Sequence, residues 1–171
     1  EIKPTINAIN DCTSKYGSNT ELESRCMIGI ANQIGTFAKI NYALSDIKNY
    51  GVKLTNANLS GLDLSGVPLF YAIAFESNLS GVKFSDHSFN MAFLGADLSY
   101  ADFSNVQNLM RKDFRNTDLT GVDFSGRDLT FVNFKDATLK GVNFENATLF
   151  GTTFNRANLE DAIFSNSIID G

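Results

Sequence analysis

A five-residue period governs most of this chain. In the stretch TLKGVNFENATLFGTTFNRANL, large apolar side chains return at every fifth position: Leu139, Phe144, Leu149, Phe154 and Leu159. An α-helix repeats its face about every 3.6 residues and a strand every 2, so neither can bring this series into one core. The period therefore requires a backbone in which a short extended segment alternates with a tight turn.

Each five-residue unit follows a pattern around its large central residue. Two residues before the centre stands a small or β-branched residue, one before is often Asp or Asn, and Gly often stands two after. The units ANLSG, ADLSY, TDLTG, VDFSG, VNFEN and ANLED resemble the A-(D/N)-(L/F)-X-X motif of the pentapeptide-repeat family, over about 120 of the 171 residues. The resemblance implies a mainly β fold, a right-handed quadrilateral β-helix in which each pentapeptide forms one side.

Four such sides close one coil, so centres twenty residues apart stack in columns. The period predicts about six coils, packed at the roughly 4.8 Å spacing of paired strands. A repeated interior slot also explains why the chain has 15 Phe and 0 Trp. The columns are Leu59, Leu79, Leu98, Leu119, Leu139, Leu159; Leu69, Phe89, Leu109, Leu129, Leu149, Ile169; Phe93, Phe114, Phe134, Phe154; and Phe84, Phe103, Phe124, Phe144, Phe164.

The first fifty residues follow a different, helical period. Ile2, Ile6 and Ile9 recur at helical spacing, and Thr20 with Glu23 forms a capping box before a second apolar series. We therefore expect an N-terminal helical capping region over residues 1–50, followed by the β-helix over residues 51–171.

Two cysteines, Cys12 and Cys26, precede the repeats. We expect them to pair as a disulfide if the protein is exported, and to be buried thiols if it is cytosolic. The sequence starts at Glu1 and not at Met, so either a leader was removed or the sequence was trimmed. Export is favoured over the cytoplasm, although the family resemblance is compatible with bacterial cytoplasm, periplasm and thylakoid lumen.

The repeat is interrupted at several places. In PLFYAIAFES the expected centre falls on Ala74; one residue is missing near Asn90–Phe93, and one is extra near Asn105–Asn108. The small inward slot turns large or polar in a column of residues twenty apart: His87, Gln107 and Arg127. A buried, unpaired Arg or His is costly, so we expect these side chains to turn outward or to bond loop carbonyls.

One corner of the predicted rod carries unusually apolar outward positions. Phe70, Tyr71, Met110, Phe131 and Phe150 line up there, interleaved with Arg111. An exposed apolar stripe usually marks an interface. Three explanations stay open: the N-terminal helices cover it, a partner or second copy binds it, or it has no significance.

The sequence favours a non-catalytic protein-interaction or scaffold module. It contains no metal-ligand cluster, phosphate loop or nucleophile–base pair, so no enzyme activity or cofactor is expected. The net charge of −5 disfavours direct nucleic-acid binding, and no apolar run reaches membrane-spanning length. The partner is expected to be an unidentified protein.

The resemblance adds two further expectations. Gyrase-protecting family members dimerise through their C-terminal ends, which makes a homodimer plausible here. The alternative function is a DNA mimic that binds a type II topoisomerase, DNA gyrase, as quinolone-resistance relatives do. Basic residues interleaved with the acids, and the expected export, argue against this alternative.

Overall fold

The computed structural model describes residues 54–65, 72–86 and 91–169. The predicted capping region 1–50, with Cys12 and Cys26, lies outside these residues. So do the predicted interior centres Leu69 and Phe89.

Residues about twenty positions apart pair in parallel throughout the described ranges. Asp113, Asp118, Asp123 and Asp128 stand five residues apart, and each bridges the residue twenty positions later. One coil therefore has four sides, with one paired position on each. The two segments long enough to count as strands are β1 (Lys83–Ser85) and β2 (Asp102–Asn105), which pair in parallel. No helix occurs in the described part of the chain, which is a four-sided parallel β-helix.

The backbone satisfies its hydrogen bonds in two directions. Along the axis, the amide of a central residue donates to a carbonyl of the next coil, as from Leu129 to Thr148 at 2.8 Å. Within a coil, the amide of the small residue donates to the preceding centre, as from Ala137 to Phe134 at 3.0 Å. This hydrogen bond joins residues three positions apart and closes a tight turn at each corner of the coil. The frequent turns explain why the sides contain so few extended residues.

The interior is the predicted ladder of stacked rings. Within one column, Phe124 stacks on Phe103 at 5.6 Å and on Phe144 at 5.9 Å between ring centroids, with planes 25° and 23° apart. Between the two phenylalanine columns the rings meet at steeper angles, as between Phe134 and Phe144 at 67°. Offset stacks and edge contacts are the arrangements that aromatic pairs prefer, so both columns fit one core.

The last described coil is less buried than those before it. Leu159 is 36% exposed and Ile169 is 67% exposed, although the period counts both among the interior centres. Phe154 and Phe164 are only partly buried against the core. The reason is geometric, because each coil is covered by the coil that follows it, and no described coil follows this one.

Both changes of register predicted from the repeat are confirmed. Asn78 bridges Asp97, nineteen residues later, where one residue is missing, and Asp97 bridges Asp118, twenty-one later, where one is extra. The two shifts cancel, so later coils return to the spacing of twenty. In the irregular stretch the centre does fall on Ala74, which is fully buried while Phe75 beside it is 37% exposed.

Shortening one rung of the ladder should destabilise the rod strongly. Phe124→Ala removes a fully buried ring between two stacked neighbours, so the free energy of unfolding should fall by about 3–5 kcal/mol. Urea unfolding followed by far-UV circular dichroism measures this. Phe154→Ala, in the less buried last coil, is the matched control and should cost clearly less. Equal losses for the two variants would contradict the layered core.

Candidate functional site

Aromatic side chains gather at the apolar corner predicted from the sequence. Met110, Phe131 and Phe150 are 38%, 47% and 45% exposed. The rings of Phe131 and Phe150 meet edge to face, with centroids 5.6 Å apart, and the guanidinium carbon of Arg111 lies 5.3 Å from the Phe131 centroid. We call these four residues the aromatic corner. Phe70 and Tyr71, predicted in the same row, lie outside the described residues.

Two residues of the aromatic corner have left-handed backbone conformations. Arg111 and Phe131 both have φ near +59°, at the position two after the centre where other units often place Gly or Asn. A bulky side chain is rare in this region because its Cβ crowds the following carbonyl. Phe131 lies over Gly151 of the next coil, where an added Cβ would come within 2.5 Å of the ring. Gly151 thus makes room for Phe131, a relation visible in sequence only as a Gly twenty positions later.

The polar column consists of His87, Gln107 and Arg127, and each of the three stands differently in the structure. His87 lies outside the described residues. The extra residue of this coil places Val106 in the inward slot, and Gln107 turns outward and is exposed, which is the outcome expected for the polar side chains of this column. The backbone amide of Gln107 donates a hydrogen bond to Asp86 Oδ1 at 2.8 Å.

Arg127 stays partly buried and turns towards a backbone carbonyl of β2. Its Nη1 atom donates to the carbonyl oxygen of Ser104 at 3.5 Å, and its Nη2 atom is buried without a hydrogen-bond partner. Smaller polar residues in the same kind of slot are fully satisfied. Thr117, for example, donates its hydroxyl to the Phe114 carbonyl at 2.6 Å. Arg127 is therefore the anomalous member of the slot, since its guanidinium keeps unused donors.

A groove that the sequence did not reveal lies along the side containing β2. It encloses about 480 Å³ and is lined by Tyr100, Asp102, Ser104, Asp123, Ser125 and Arg127, among others. Tyr100 is 68% exposed and left-handed, with φ +57°. Its ring lies over Gly121, where an added Cβ would come within 2.3 Å. The available sequence signal was a Tyr in a column that is mostly glycine: Gly61, Gly81, Gly121, Gly141, then Asp161.

Most carboxylates in the described ranges are engaged in building turns, as the sequence indicated. Asp or Asn before the centre accepts, through Oδ1, the amide hydrogen bond of the residue two positions later, as Asp128 does from Thr130 at 2.9 Å. The Ser or Thr at that position donates to the carboxylate from its hydroxyl and from its backbone amide, and the hydroxyl has the larger effect. Together these hydrogen bonds lower the pKa of Asp63, Asp102 and Asp128 below the usual 3.8.

Basic residues interrupt the acidic surface. Arg156 pairs with Asp136 at 2.6 Å and Lys140 with Glu160 at 3.0 Å, each joining side chains twenty residues apart on adjacent coils. Arg115 pairs with Asp113 at 2.7 Å within one side. The rod therefore presents alternating charge and not a continuous acidic face.

The described part of the chain has neither a metal-binding cluster nor a membrane-spanning helix. Nowhere in it do three or more His, Cys, Asp or Glu side chains gather closely enough to hold a metal ion. Over the same residues, no helix is long and apolar enough to cross a membrane.

Comparison with known proteins agrees with this geometry. A family model described as pentapeptide repeats matches residues 50–86 and 128–166, with eight copies. No curated protein matches the sequence.

Several solved structures are similar to this chain. One is a pentapeptide repeat protein of the cyanobacterium Cyanothece, with 24% identity and TM-score 0.33, covering 70% of this chain and 65% of that one. Another, from the Arabidopsis thaliana thylakoid lumen, has 29% identity and TM-score 0.28, covering 66% and 64%. QnrB1, a plasmid-mediated fluoroquinolone resistance protein, has 14% identity and TM-score 0.28, covering 70% and 61%. This chain spans less than two thirds of each.

The turn carboxylates predict how stability responds to acid. Because the pKa of the folded carboxyl is lowered, the unfolded chain takes up the proton at a higher pH than the folded chain does. The stabilisation is therefore present above about pH 3.8 and is lost as the pH falls further. Asp128→Asn keeps the Oδ1 acceptor but cannot titrate, so it should lose less stability than the parent protein between about pH 6 and pH 3. Urea midpoints at the two pH values measure this. Asp161→Asn, at a corner position, is the control. Identical pH dependence for parent and Asp128→Asn would contradict the assignment.

Proposed function

Because this chain belongs to the pentapeptide-repeat family, we propose that it acts as a non-catalytic protein-interaction or scaffold module. The single observation that carries this proposal is the aromatic corner: Met110, Arg111, Phe131 and Phe150 exposed together along one edge of a rigid rod. Aromatic residues, Met and Arg are enriched at the centres of protein interfaces.

Folding alone does not account for Phe131. One coil later the same position is Gly151, which suits the left-handed conformation without strain. A left-handed non-glycine residue costs about 1–2 kcal/mol. Phe131 keeps this strained backbone while 47% of the residue stays exposed, so the interior gains little from it.

The partner we propose is a protein that lays an apolar surface over this corner. Residues 1–50 of the chain are the competing occupant, and the double variant below separates the two cases. No catalytic step and no cofactor is part of the proposal. The turn carboxylates support this, since each accepts a structural hydrogen bond through Oδ1 that repeats from unit to unit.

The alternative, a DNA mimic that binds DNA gyrase, has less support. A mimic needs a phosphate-like row of negative charge, whereas Arg156 and Lys140 neutralise acids on adjacent coils. A homodimer through the C-terminal end remains a proposal. It rests on the family resemblance alone.

Removing the aromatic corner should abolish partner capture without unfolding the rod. We expect Phe131→Gly with Phe150→Ser to lose the protein that the parent captures from extracts of its own source. The variant's unfolding free energy should change by no more than about 1 kcal/mol, because glycine relieves the left-handed strain. Affinity capture and urea unfolding measure the two effects.

The control for this experiment is Phe75→Ser. Phe75 is 37% exposed and also directly follows a centre, but it lies outside the aromatic corner, so its variant should keep the partner. Undiminished capture by the double variant would remove the corner from the proposal. A loss of several kcal/mol in the double variant would instead show that residues 1–50 already cover the corner.

We further propose that Cys12 and Cys26 form a disulfide and that the protein is exported. The support is the presence of two cysteines, both within the first fifty residues. Thiol titration of the denatured protein should find no free thiols before reduction and two after it. Two free thiols in unreduced protein, isolated from its native compartment without reductant, would contradict both statements.

A further inference from the structure

The groove beside β2 has an aromatic wall that the fold does not require. Its column places glycine at this corner in four described coils and Asp161 in the last one, and Tyr100 adopts the same left-handed conformation that glycine would supply. The Tyr100 ring packs over Gly121 and the residue remains 68% exposed. The face of an aromatic ring carries negative potential, which attracts a cationic group.

Two carboxylates from neighbouring coils line the same groove. Asp102 and Asp123 each accept a backbone amide through Oδ1, from Ser104 and Ser125, both at 2.9 Å. This leaves the Oδ2 atom of each available to a ligand. Lys83 lies in register with Asp102 on the coil before it. Asp123 makes no ion pair with any residue that the structure describes, so its carboxylate can accept a cationic ligand.

The groove is also lined by one positive charge. The 3.5 Å contact between Arg127 Nη1 and the Ser104 carbonyl oxygen is the one hydrogen bond that this guanidinium makes within the described part of the chain, and its Nη2 atom is buried without a partner. The unused donors of Arg127 favour a carbonyl oxygen. The groove therefore offers both carboxylate acceptors and a guanidinium donor to a ligand.

We propose that this groove binds one lysine or arginine side chain of an extended partner segment, with its cation between Tyr100 and the carboxylates of Asp102 and Asp123. The peptide carbonyl that follows then lies against Arg127. A volume of about 480 Å³ falls within the range of ordinary ligand pockets and accommodates such a side chain. The groove occupies a side of the rod and shares no residue with the aromatic corner, so the inference goes beyond the proposed function and does not depend on it.

The test uses a capped glycine–arginine–glycine peptide and the same peptide with neutral citrulline in place of arginine. Titrated into the full-length, isotope-labelled chain, the arginine peptide should shift the backbone NMR signals of Gly121 and Ser125. The citrulline peptide should bind at least about tenfold more weakly, because it keeps the shape and loses the charge.

Variants then locate the cation. Asp123→Asn and Tyr100→Gly should each weaken arginine-peptide binding about threefold to tenfold, as expected for one exposed ion pair or one ring–cation contact. Both keep the fold, since Asn retains the turn acceptor and Gly suits the left-handed corner. Asp63→Asn is the matched control, because Asp63 makes the same turn with Ser65 in the same column and lies outside the groove. It should bind like the parent.

Three results would overturn the inference. The first is the absence of any shift at about 10 mM arginine peptide, which is beyond the weak range that one side chain can reach. The second is equal binding of the citrulline peptide, which would mark a neutral polar site such as one for a sugar. The third is an equal loss in Asp63→Asn and Asp123→Asn, which would trace the effect to overall charge.

Discussion

The corner of each five-residue side is the constraint on which the rest of this structure depends. A four-sided coil must turn sharply after every short extended segment, and nearly every described turn uses a left-handed residue two positions after the centre. The exceptions are Asp86 and Asn105, which follow the centres of β1 and β2. Once the corners hold, every centre points inward and stacks on the residue twenty positions away. The phenylalanine ladder, the parallel bridges and the Asp or Asn turns are all consequences of this closure.

The same corners also carry exposed residues other than glycine. Glycine meets the left-handed requirement without strain, yet Tyr100, Arg111 and Phe131 stand at corners with exposed side chains. Their rings or chains lean along the axis, and for Tyr100 and Phe131 a glycine in the next coil provides the space. Interior packing depends little on which exposed side chain a corner residue has. The surface at the corners can therefore vary in function at little cost to the stability of the fold.

A change of one residue in chain length also has a local structural effect. Because Val106 takes the inward slot, Gln107 is pushed out of the wall next to β2. One coil later, Arg127 donates from Nη1 to the carbonyl oxygen of Ser104 at 3.5 Å. The groove thus lies beside the coil in which the repeat is longest, where the wall is least regular.

The five-residue period, taken alone, determined most of the interior of this protein: the columns of the core, the side chains that fill it in all but the last described coil, and the two shifts of register. That was possible because neighbours in the core are separated by a fixed number of residues. Only the tertiary structure decided the surface. Whether Gln107 or Val106 turned inward depended on how one coil absorbed its extra residue, and the meeting of Tyr100 with Asp123 depended on which way an exposed ring leaned. Such choices rest on contacts between coils, for which the repeat specifies no residue type.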